Sequence, residues 1–278
     1  MAVVINTNIS SISAARSLHE TSSSLNQAME RLSSGKRING ARDDAAGMAV
    51  VTRMKAQITS LGQAVRNAND AISMIGTYDG AADEIETILI RMRELATLSQ
   101  NGTYTSDDRT NADAEYQQLK NEINRIQEKT KFNGTLDISS NVTASAQTYT
   151  FQVGFNGNDS VSIGFDSLAA SNLFNAAVGA IGSVASAANE VTSLDGALTR
   201  LNAGRAEAGA YINRLEHTVS NLMNVIQRTE EARSRIEDAD FAAESAALAR
   251  ANVLTQAGSA MLAQANQSPQ YILALLRS

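Results

Sequence analysis

The sequence predicts a mainly α fold, a long antiparallel coiled-coil helical bundle that carries one β-hairpin. Two long segments place apolar residues at alternating spacings of four and three, which is how coiled-coil helices bury one seam. A single proline in 278 residues leaves long helices uninterrupted. Strict alternation of apolar and polar residues, the pattern of a half-buried strand, is found between residues 148 and 165.

The first seam runs along residues 47–100. A slip to consecutive spacings of three falls between Ile72 and Tyr78, which is a stammer in a coiled coil. A single helix over this range would be roughly 80 Å long at 1.5 Å per residue. The seam residues are Met54, Ile58, Leu61, Val65, Ala68, Ile72, Ile75, Tyr78, Ala82, Ile85, Leu89, Met92 and Leu95.

The second seam lies in residues 194–236 and keeps the four-three alternation throughout. All but three of its positions are apolar, the exceptions being Arg205, Thr229 and Arg233. The seam residues are Leu194, Leu198, Leu201, Arg205, Ala208, Ile212, Leu215, Val219, Leu222, Ile226, Thr229, Arg233 and Ile236.

A third, shorter helix is predicted with Ser106 as its N-cap and with Asp107 and Asp108 in its positive first turn. Its apolar stripe is Ala112, Tyr116, Leu119, Ile123 and Ile126. Three matched helices of this kind most simply form one antiparallel bundle.

The hairpin is predicted from the segments TYTFQVGF and SVSIGF. The first places Tyr149, Phe151, Val153 and Phe155 on one face, and the residues Asn156 to Asp159 supply the turn.

The two ends have apolar stripes with few charges. An isolated surface helix normally has a charged outer face, whereas these stripes are surrounded by Ser, Thr, Asn, Gln and Ala. Such helices need neighbours on most sides, and we expect other subunits to supply them. The stripe residues expected in subunit assembly are Ile5, Ile9, Ile12, Leu18, Leu25, Leu248, Leu254, Met261, Leu262, Ile272 and Leu275.

The stretch SSGKRINGARDDAAGM, residues 33–48, breaks the helical pattern with three glycines and a group of charged side chains. Glycine costs about 1 kcal/mol in a helix interior, so this stretch is predicted to be a connector. We expect Arg42, Asp43 and Asp44 to bind something polar. Salt bridges with Arg37 or Arg42, or with a neighbouring subunit, are favoured over a metal ion.

Several classes of function are disfavoured. The net charge of −6 gives no support for nucleic-acid binding, and the absence of cysteine excludes thiol chemistry. The start MAVVINTNIS lacks the features of a cleaved signal peptide, and no apolar run is long enough for membrane insertion. The segment that follows His19 and Glu20 does not complete the HExxH zinc motif. We therefore predict no catalytic residues, no cofactor and no metal site.

The segments INTNISSISAARSL, RLSSGKRINGARDDAAGMAV, RNANDAISMI, RMRELATLSQNGTYTSDDR and TKFNGTLD resemble the amino-terminal region of bacterial flagellin. GAYINRLEHTVSNL, ARSRIEDADFAAE and MLAQANQSPQYILALL resemble its carboxy-terminal region. The resemblance covers most of the chain in the family's order. It implies an exported, extracellular subunit that polymerises into the helical filament of the bacterial flagellum for motility, and a minimal member of the family.

The resemblance also implies how the chain is divided. Residues 1–33 and 240–278 would form the inner tube of the filament on assembly, and 34–46 would be the spoke that crosses to the outer layer. Residues 47–134 and 191–239 would form the outer helical bundle, and 135–190 the hairpin and a linker.

Further partners follow from the same resemblance. They are other flagellin subunits, a flagellar export chaperone, the type III export apparatus, and hook-associated and cap proteins. An animal Toll-like receptor would contact Arg91, Leu95 and Glu115, which are expected to be exposed in the free subunit. The alternatives are a hook–filament junction (hook-associated) protein, a flagellin-like protein with an enzymatic insert, and an intracellular coiled-coil scaffold.

Overall fold

The computed structural model describes residues 7–134, 136–137, 147–165 and 179–277. Within these residues it has five helices and four short strands, which confirms the mainly α fold. The helices are α1 (Ile9–Ser34), α2 (Ala45–Gln100), α3 (Ser106–Lys129), α4 (Val184–Glu237) and α5 (Phe241–Arg277). The strands are β1 (Lys131–Phe132), β2 (Leu136–Asp137), β3 (Gln147–Gln152) and β4 (Ser160–Phe165).

The chain divides into two compact units. One comprises the described residues up to Ile58 together with those from Gln227 onward, and the other is Thr59–Ile226. Helices α2 and α4 contribute to both units. Each unit is described below by itself.

In the Thr59–Ile226 unit, α2, α3, α4 and the β3–β4 hairpin share one apolar core. Both predicted seams face it over most of their length, since their apolar residues from Ala68 to Leu95 and from Leu194 to Val219 belong to this core or pack against it. Ion pairs show that α2 and α4 are antiparallel: Arg93 contacts Asp195 at 2.6 Å, whereas Asp79, earlier in α2, contacts Arg205, later in α4, at 2.9 Å. The largest fully buried side chains are Tyr78, Tyr116, Ile75, Ile85, Leu89, Met92, Ile123, Ile163, Ile181 and Leu194.

Helix α3 begins at Ser106 and is capped one residue earlier than predicted. The Thr105 side chain accepts a hydrogen bond from the Asp108 N–H at 3.3 Å, and the Asp108 carboxylate accepts one from the Thr105 N–H at 3.0 Å. This reciprocal pair is a capping box. The prediction that Ser106 is the N-cap was wrong, because threonine can fill the same role and has the acidic partner three residues on.

The predicted hairpin is present, with its turn at residues 156–159. Gln152 lies opposite Ser160 and Gln147 opposite Phe165, and the Asp159 N–H closes the turn by donating to the Asn156 carbonyl at 3.0 Å. Val161 and Ile163 are buried, as the alternation requires. Phe155 departs from the prediction: it lies beyond the last ladder pair, in the loop, and its side chain is exposed.

Two features that flank the β3–β4 hairpin in the sequence were not predicted. A further antiparallel pair, β1–β2, encloses Asn133, which has a positive φ of 48°. Helix α4 begins at Val184, seven residues before the predicted start at residue 191. The hydroxyl of the preceding residue, Ser183, accepts a hydrogen bond from the Ser186 N–H at 3.2 Å. Residues 138–146 and 166–178 lie outside the described part of the chain.

The chain just before α4 is bound by two acidic side chains. The Glu190 carboxylate accepts hydrogen bonds from the Gly179 N–H at 2.5 Å and from the Tyr116 hydroxyl at 3.0 Å. Asp113 accepts a hydrogen bond from the Ile181 N–H at 2.7 Å, and the Ile181 side chain is fully buried. Burial and the nearby Glu190 carboxylate raise the pKa of the Tyr116 phenol well above its ordinary value.

Candidate assembly interface

In the other unit, α1 and α5 lie side by side in antiparallel orientation. Near one end of the pair, the Asn8 side-chain amide donates to the Ala265 carbonyl at 2.7 Å. Near the other end, Arg31 pairs with Glu244 at 2.9 Å, and both side chains are largely buried. Because the partners are more than 200 positions apart in sequence, the two ends of the chain form a single structural element.

The contact between α1 and α5 uses mainly small residues. Among the described side chains of the two helices, the buried ones are Ala28 and Ala251. A Cβ atom at Gly258 would lie 3.3 Å from the Leu18 side chain, so glycine permits the close approach at this point. Other large apolar side chains of the two helices remain exposed on the outside of the pair.

A groove of about 620 Å³ lies between the two helices, and three of these exposed apolar residues, Ile9, Leu254 and Met261, line it. Ile12 on α1 is 62% exposed, and Met261 on α5 is 63% exposed. Large apolar groups at such exposure are typical of surfaces that are covered in an assembly. The exposed large apolar residues of the two helices are Ile9, Ile12, Met29, Phe241, Val253, Leu254 and Met261.

The structure distributes the predicted assembly residues between exposed and half-buried positions. Ile9, Ile12, Leu254 and Met261 are exposed, whereas Leu18, Leu25, Leu248 and Leu262 are half-buried within the described residues. Ile5 precedes the described residues. Ile272 and Leu275 lie on α5, but their side chains are outside the described part of the structure.

One part of the sequence prediction needs correction. We expected other subunits to supply the neighbours of the terminal helices, whereas α1 and α5 each supply a partner surface to the other within one chain. The exposed stripe that remains is the surface available to other subunits.

The connector between α1 and α2 pairs with the connector between α4 and α5. The Arg37 N–H donates to the Glu237 carbonyl at 2.7 Å, and the Ala239 N–H donates to the Gly35 carbonyl at 3.0 Å. Gly35 has a φ of 69°, a conformation that suits glycine and that ends α1. These backbone hydrogen bonds hold together the two connectors, one between α1 and α2 and the other between α4 and α5.

The Glu237 side chain reinforces this junction. Its carboxylate lies 2.7 Å from the Lys55 ammonium and 3.0 Å from the Lys36 ammonium, and its side chain is only 6% exposed. Burial alone would raise the pKa of Glu237, but the hydrogen bonds from Lys55 and Lys36 outweigh burial and lower it. Sequence reasoning missed this residue, because its partners come from the connector and from α2.

The charged residues predicted in the connector have local partners. The Asp43 carboxylate accepts hydrogen bonds from the N–H groups of Asn39, at 3.0 Å, and Gly40, at 3.1 Å, and these bonds lower the pKa of Asp43. Asp44 accepts a hydrogen bond from the Gly47 N–H at 2.8 Å and so caps α2.

The predicted intrachain salt bridges with Arg37 or Arg42 are therefore absent from the described residues. Arg37 instead donates to the Ile236 carbonyl at 2.8 Å, and Arg42 is exposed.

Comparison with known families identifies the chain. The model of the bacterial flagellin N-terminal helical region matches residues 5–143, and that of the C-terminal helical region matches residues 191–276. The chain belongs to the bacterial flagellin family. Its function is that of a structural subunit of the flagellar filament.

Similar flagellins and structures are consistent with this assignment. A flagellin of Halalkalibacterium halodurans is 42% identical over 276 residues, which covers 99% of this chain and 100% of the relative. The crystal structure of Bacillus cereus flagellin aligns with a TM-score of 0.51 at 35% identity, covering 56% of this chain and 88% of that one.

The alternative assignment, a hook-associated protein, is supported only by a similarity of fold. A putative flagellar hook-associated protein from Vibrio parahaemolyticus aligns with a TM-score of 0.59 but at 12% identity, covering 70% of this chain and 100% of that one. Nothing in these comparisons favours a hook-associated function for this flagellin.

The three residues implied in receptor contact have different environments. Arg91 and Glu115 form an exposed ion pair at 2.8 Å, and Arg91 also contacts Glu94 at 3.1 Å. Leu95 is only 4% exposed and belongs to the core of α2, α3 and α4. The expectation that all three are exposed in the free subunit was wrong for Leu95, which occupies a seam position.

Metal-binding groups and membrane-spanning helices are both absent from the described residues. These residues contain no group of three or more histidine, aspartate or glutamate side chains arranged to bind a metal ion. None of the flagellin's described helices is both long and apolar enough to span a membrane.

Proposed function

We propose that this flagellin is exported from the cell and polymerises through the outer surface of its α1–α5 pair, so that the terminal helices form the inner tube of the filament. The observation that carries this proposal is the set of exposed apolar side chains on the α1–α5 pair, which includes Ile12 and, in the wall of the groove, Met261. Complete burial of an isoleucine or methionine side chain stabilises by about 1.5–3 kcal/mol. Several such side chains per subunit would favour a polymer in which neighbours cover the stripe.

The proposal assigns a role to each segment. Residues 1–33 and 240–278 are the inner helices, 34–46 is the spoke, 47–134 and 191–239 form the outer bundle, and 135–190 carries the hairpin. The junction around Glu237 supports the role of the spoke, because it fixes both connectors with backbone hydrogen bonds and ion pairs. Asp43 and Asp44 then act by shaping the spoke, with Arg42 left to contact an adjacent subunit.

The proposed partners other than flagellin subunits rest on the family resemblance. A cytosolic export chaperone would cover the apolar face of α5 before export, and the type III export apparatus would transport the chain. Hook-associated and cap proteins would bind the two ends of the filament. An animal Toll-like receptor would contact the exposed Arg91–Glu115 pair.

Polymerisation tests the proposed interface directly. Ile12→Ser and Met261→Ser should prevent seeded filament growth, measured by light scattering and negative-stain microscopy, with little loss of monomer stability because both side chains are exposed. Met223→Ser is the matched control, since Met223 is 55% exposed on α4, outside the terminal pair. Normal filaments from either terminal variant would contradict the proposed interface.

A truncated fragment tests the proposed division of the chain. Residues 45–236 retain the apolar core of α2, α3 and α4 and should stay folded, but they should not form filaments. Far-ultraviolet circular dichroism measures the fold, and microscopy after seeding measures assembly. A folded fragment that still polymerises would show that the terminal pair is not the essential interface.

A further inference from the structure

Four Asn-Gly dipeptides are present in this chain, and the structure places them in different hydrogen-bond environments. In such a dipeptide the glycine nitrogen can reach the asparagine side-chain carbonyl, because glycine has no side chain to obstruct the approach. The four dipeptides are Asn39–Gly40, Asn101–Gly102, Asn133–Gly134 and Asn156–Gly157. We infer that Asn101 is a site of self-modification, at which water converts asparagine to aspartate or isoaspartate without an enzyme.

The first feature of the site is a free nucleophile. Asn101 and Gly102 lie in the exposed loop that follows α2, and the Gly102 N–H has no hydrogen-bond acceptor among the described residues. No atom lies within 4 Å of the position that a Cβ of Gly102 would occupy, so the backbone has room to move. The Gly102 N–H therefore has no hydrogen bond of its own to lose when the nitrogen approaches the side chain of Asn101.

The second feature activates the carbonyl that would be attacked. The Asn101 Oδ1 accepts a hydrogen bond from the Thr103 N–H at 3.2 Å, which is an Asx-turn. This bond polarises the side-chain carbonyl. It also places a donor where negative charge develops on Oδ1 once the nitrogen adds to Cγ.

The third feature activates the nucleophile. The Arg109 guanidinium donates to the Asn101 main-chain carbonyl at 3.0 Å and to the Ser99 carbonyl at 2.9 Å. The Asn101 carbonyl belongs to the same peptide group as the Gly102 N–H. A charged donor on that oxygen withdraws electron density from the peptide group, so the Gly102 N–H gives up its proton more readily.

The reaction is balanced with water alone. Hydroxide removes the Gly102 amide proton, and the nitrogen forms a bond to Asn101 Cγ. The Cγ–Nδ2 bond then breaks as Nδ2 takes a proton from water, so that ammonia leaves, hydroxide is regenerated and a cyclic imide remains. Water opens the ring at either carbonyl and leaves aspartate or isoaspartate, and isoaspartate lengthens the main chain between α2 and α3 by one methylene.

Asn39 provides a protected counterpart. The Gly40 N–H donates to the Asp43 carboxylate at 3.1 Å, so the nucleophile is occupied, and the adjacent negative charge opposes its deprotonation. The Asn39 amide is also held by the Lys36 carbonyl at 3.2 Å. We expect Asn39 to react more slowly in the folded protein than in the unfolded chain.

Asn156 provides an intermediate case. The Gly157 N–H is free among the described residues, as at Gly102. However, the Asn156 main-chain carbonyl accepts only uncharged donors, the Asp159 N–H at 3.0 Å and the Gln152 amide at 2.5 Å. Asn156 therefore reports the rate of an exposed Asn-Gly dipeptide that lacks the arginine.

The test compares the three sites in one protein. The full-length chain is incubated at mildly alkaline pH, folded or in denaturant, and each site is followed by peptide mass spectrometry and by isoaspartate labelling. In the folded chain Asn101 should react roughly five- to tenfold faster than Asn156, which corresponds to about 1.0–1.4 kcal/mol in the barrier. Asn101 should slow on denaturation, whereas Asn39 should accelerate. An Asn101 rate in the folded chain at or below its rate in denaturant would overturn the inference.

Substitution of the arginine separates its charge from its packing. Arg109→Gln should lower the Asn101 rate to that of Asn156 without changing the Asn156 rate, and Arg109→Lys should retain most of the acceleration. Circular dichroism of both variants checks that α2 and α3 remain folded. An Asn101 rate that is the same in the parent and in folded Arg109→Gln would refute the role of the guanidinium.

Discussion

The Glu237 carboxylate accepts a hydrogen bond of 2.7 Å from the Lys55 ammonium, and this contact joins the last residue of α4 to the first part of α2. The same carboxylate lies 3.0 Å from Lys36 in the connector. Glu237 is thus the acidic residue that both lysines bind at the junction of the two connectors. Burial would disfavour its charge, and the two lysines compensate for that cost.

Replacement of Glu237 should loosen the junction. Glu237→Ala leaves Lys36 and Lys55 without their shared acceptor, and we expect a loss of about 1–3 kcal/mol in the free energy of unfolding. Backbone hydrogen exchange in α1 and α5 should increase first, because the connectors that join these two helices to α2 and α4 meet at the junction. Glu122→Ala, which removes an exposed pair with Arg125, is the control and should cost less than about 1 kcal/mol. Equal effects of the two substitutions would contradict the structural role of Glu237.

The same carboxylate should make stability depend on pH in the acid range. Its pKa in the folded chain is lowered below the ordinary value of 4.5, so its stabilising effect is fully present above 4.5 and is lost as pH falls through the lower folded pKa. The difference in unfolding free energy between parent and Glu237→Gln should therefore be constant near neutrality and shrink in acid. Thermal melts of both proteins across this range measure it. A difference that stays constant throughout would show that Glu237 does not titrate in this way.

Arg205 should stabilise the bundle although it occupies a seam position. Its guanidinium contacts Asp79 at 2.9 Å and Asp83 at 3.1 Å, and it also contacts Glu86. Arg205→Met leaves three carboxylates close together on α2, and we expect a loss of about 1–3 kcal/mol, partly restored by adding Asp83→Asn. Arg228→Met, at an exposed position on the same helix, should change stability by less than about 0.5 kcal/mol. Denaturant unfolding monitored by circular dichroism tests both, and failure of the second substitution to restore stability would argue against repulsion.

Two glycines of α4 should respond oppositely to alanine. A Cβ at Gly204 would lie 2.7 Å from the hydroxyl oxygen of Tyr78, which is buried, so Gly204→Ala should force a shift and destabilise the bundle. A Cβ at Gly209 would meet no atom within 4 Å, and Gly209→Ala should stabilise α4 by up to about 1 kcal/mol. Thermal unfolding of the two variants measures the contrast, and stabilisation by both would mean that Tyr78 can move.

The sequence alone determined the features that depend on periodicity and on local chemistry. The four-three spacing from Met54 to Leu95 specifies which face of α2 is buried, since neighbours on one helix face are set by 3.6 residues per turn. The alternation in residues 148–165 specifies the hairpin and its turn, since successive side chains of a strand point to opposite faces. The scarcity of charge around Ile12 and Met261 indicated a surface meant for neighbours, and the terminal motifs indicated the family.

Only the tertiary structure decided which distant residues meet. In the sequence, Glu237 cannot be distinguished from the other charged residues near the end of this helix. Its pairing with Lys36 and Lys55 depends on how the two connectors come together. Asp43 and Asp44 were expected to form salt bridges with Arg37 or Arg42, or with a neighbouring subunit, but folding brings nearby backbone N–H groups to them. Leu95 was expected at the surface, but its seam position lies in the core. Sequence spacing fixes which residues share a face, but not the partner that the face meets, because that choice depends on the free energy of the whole packed unit.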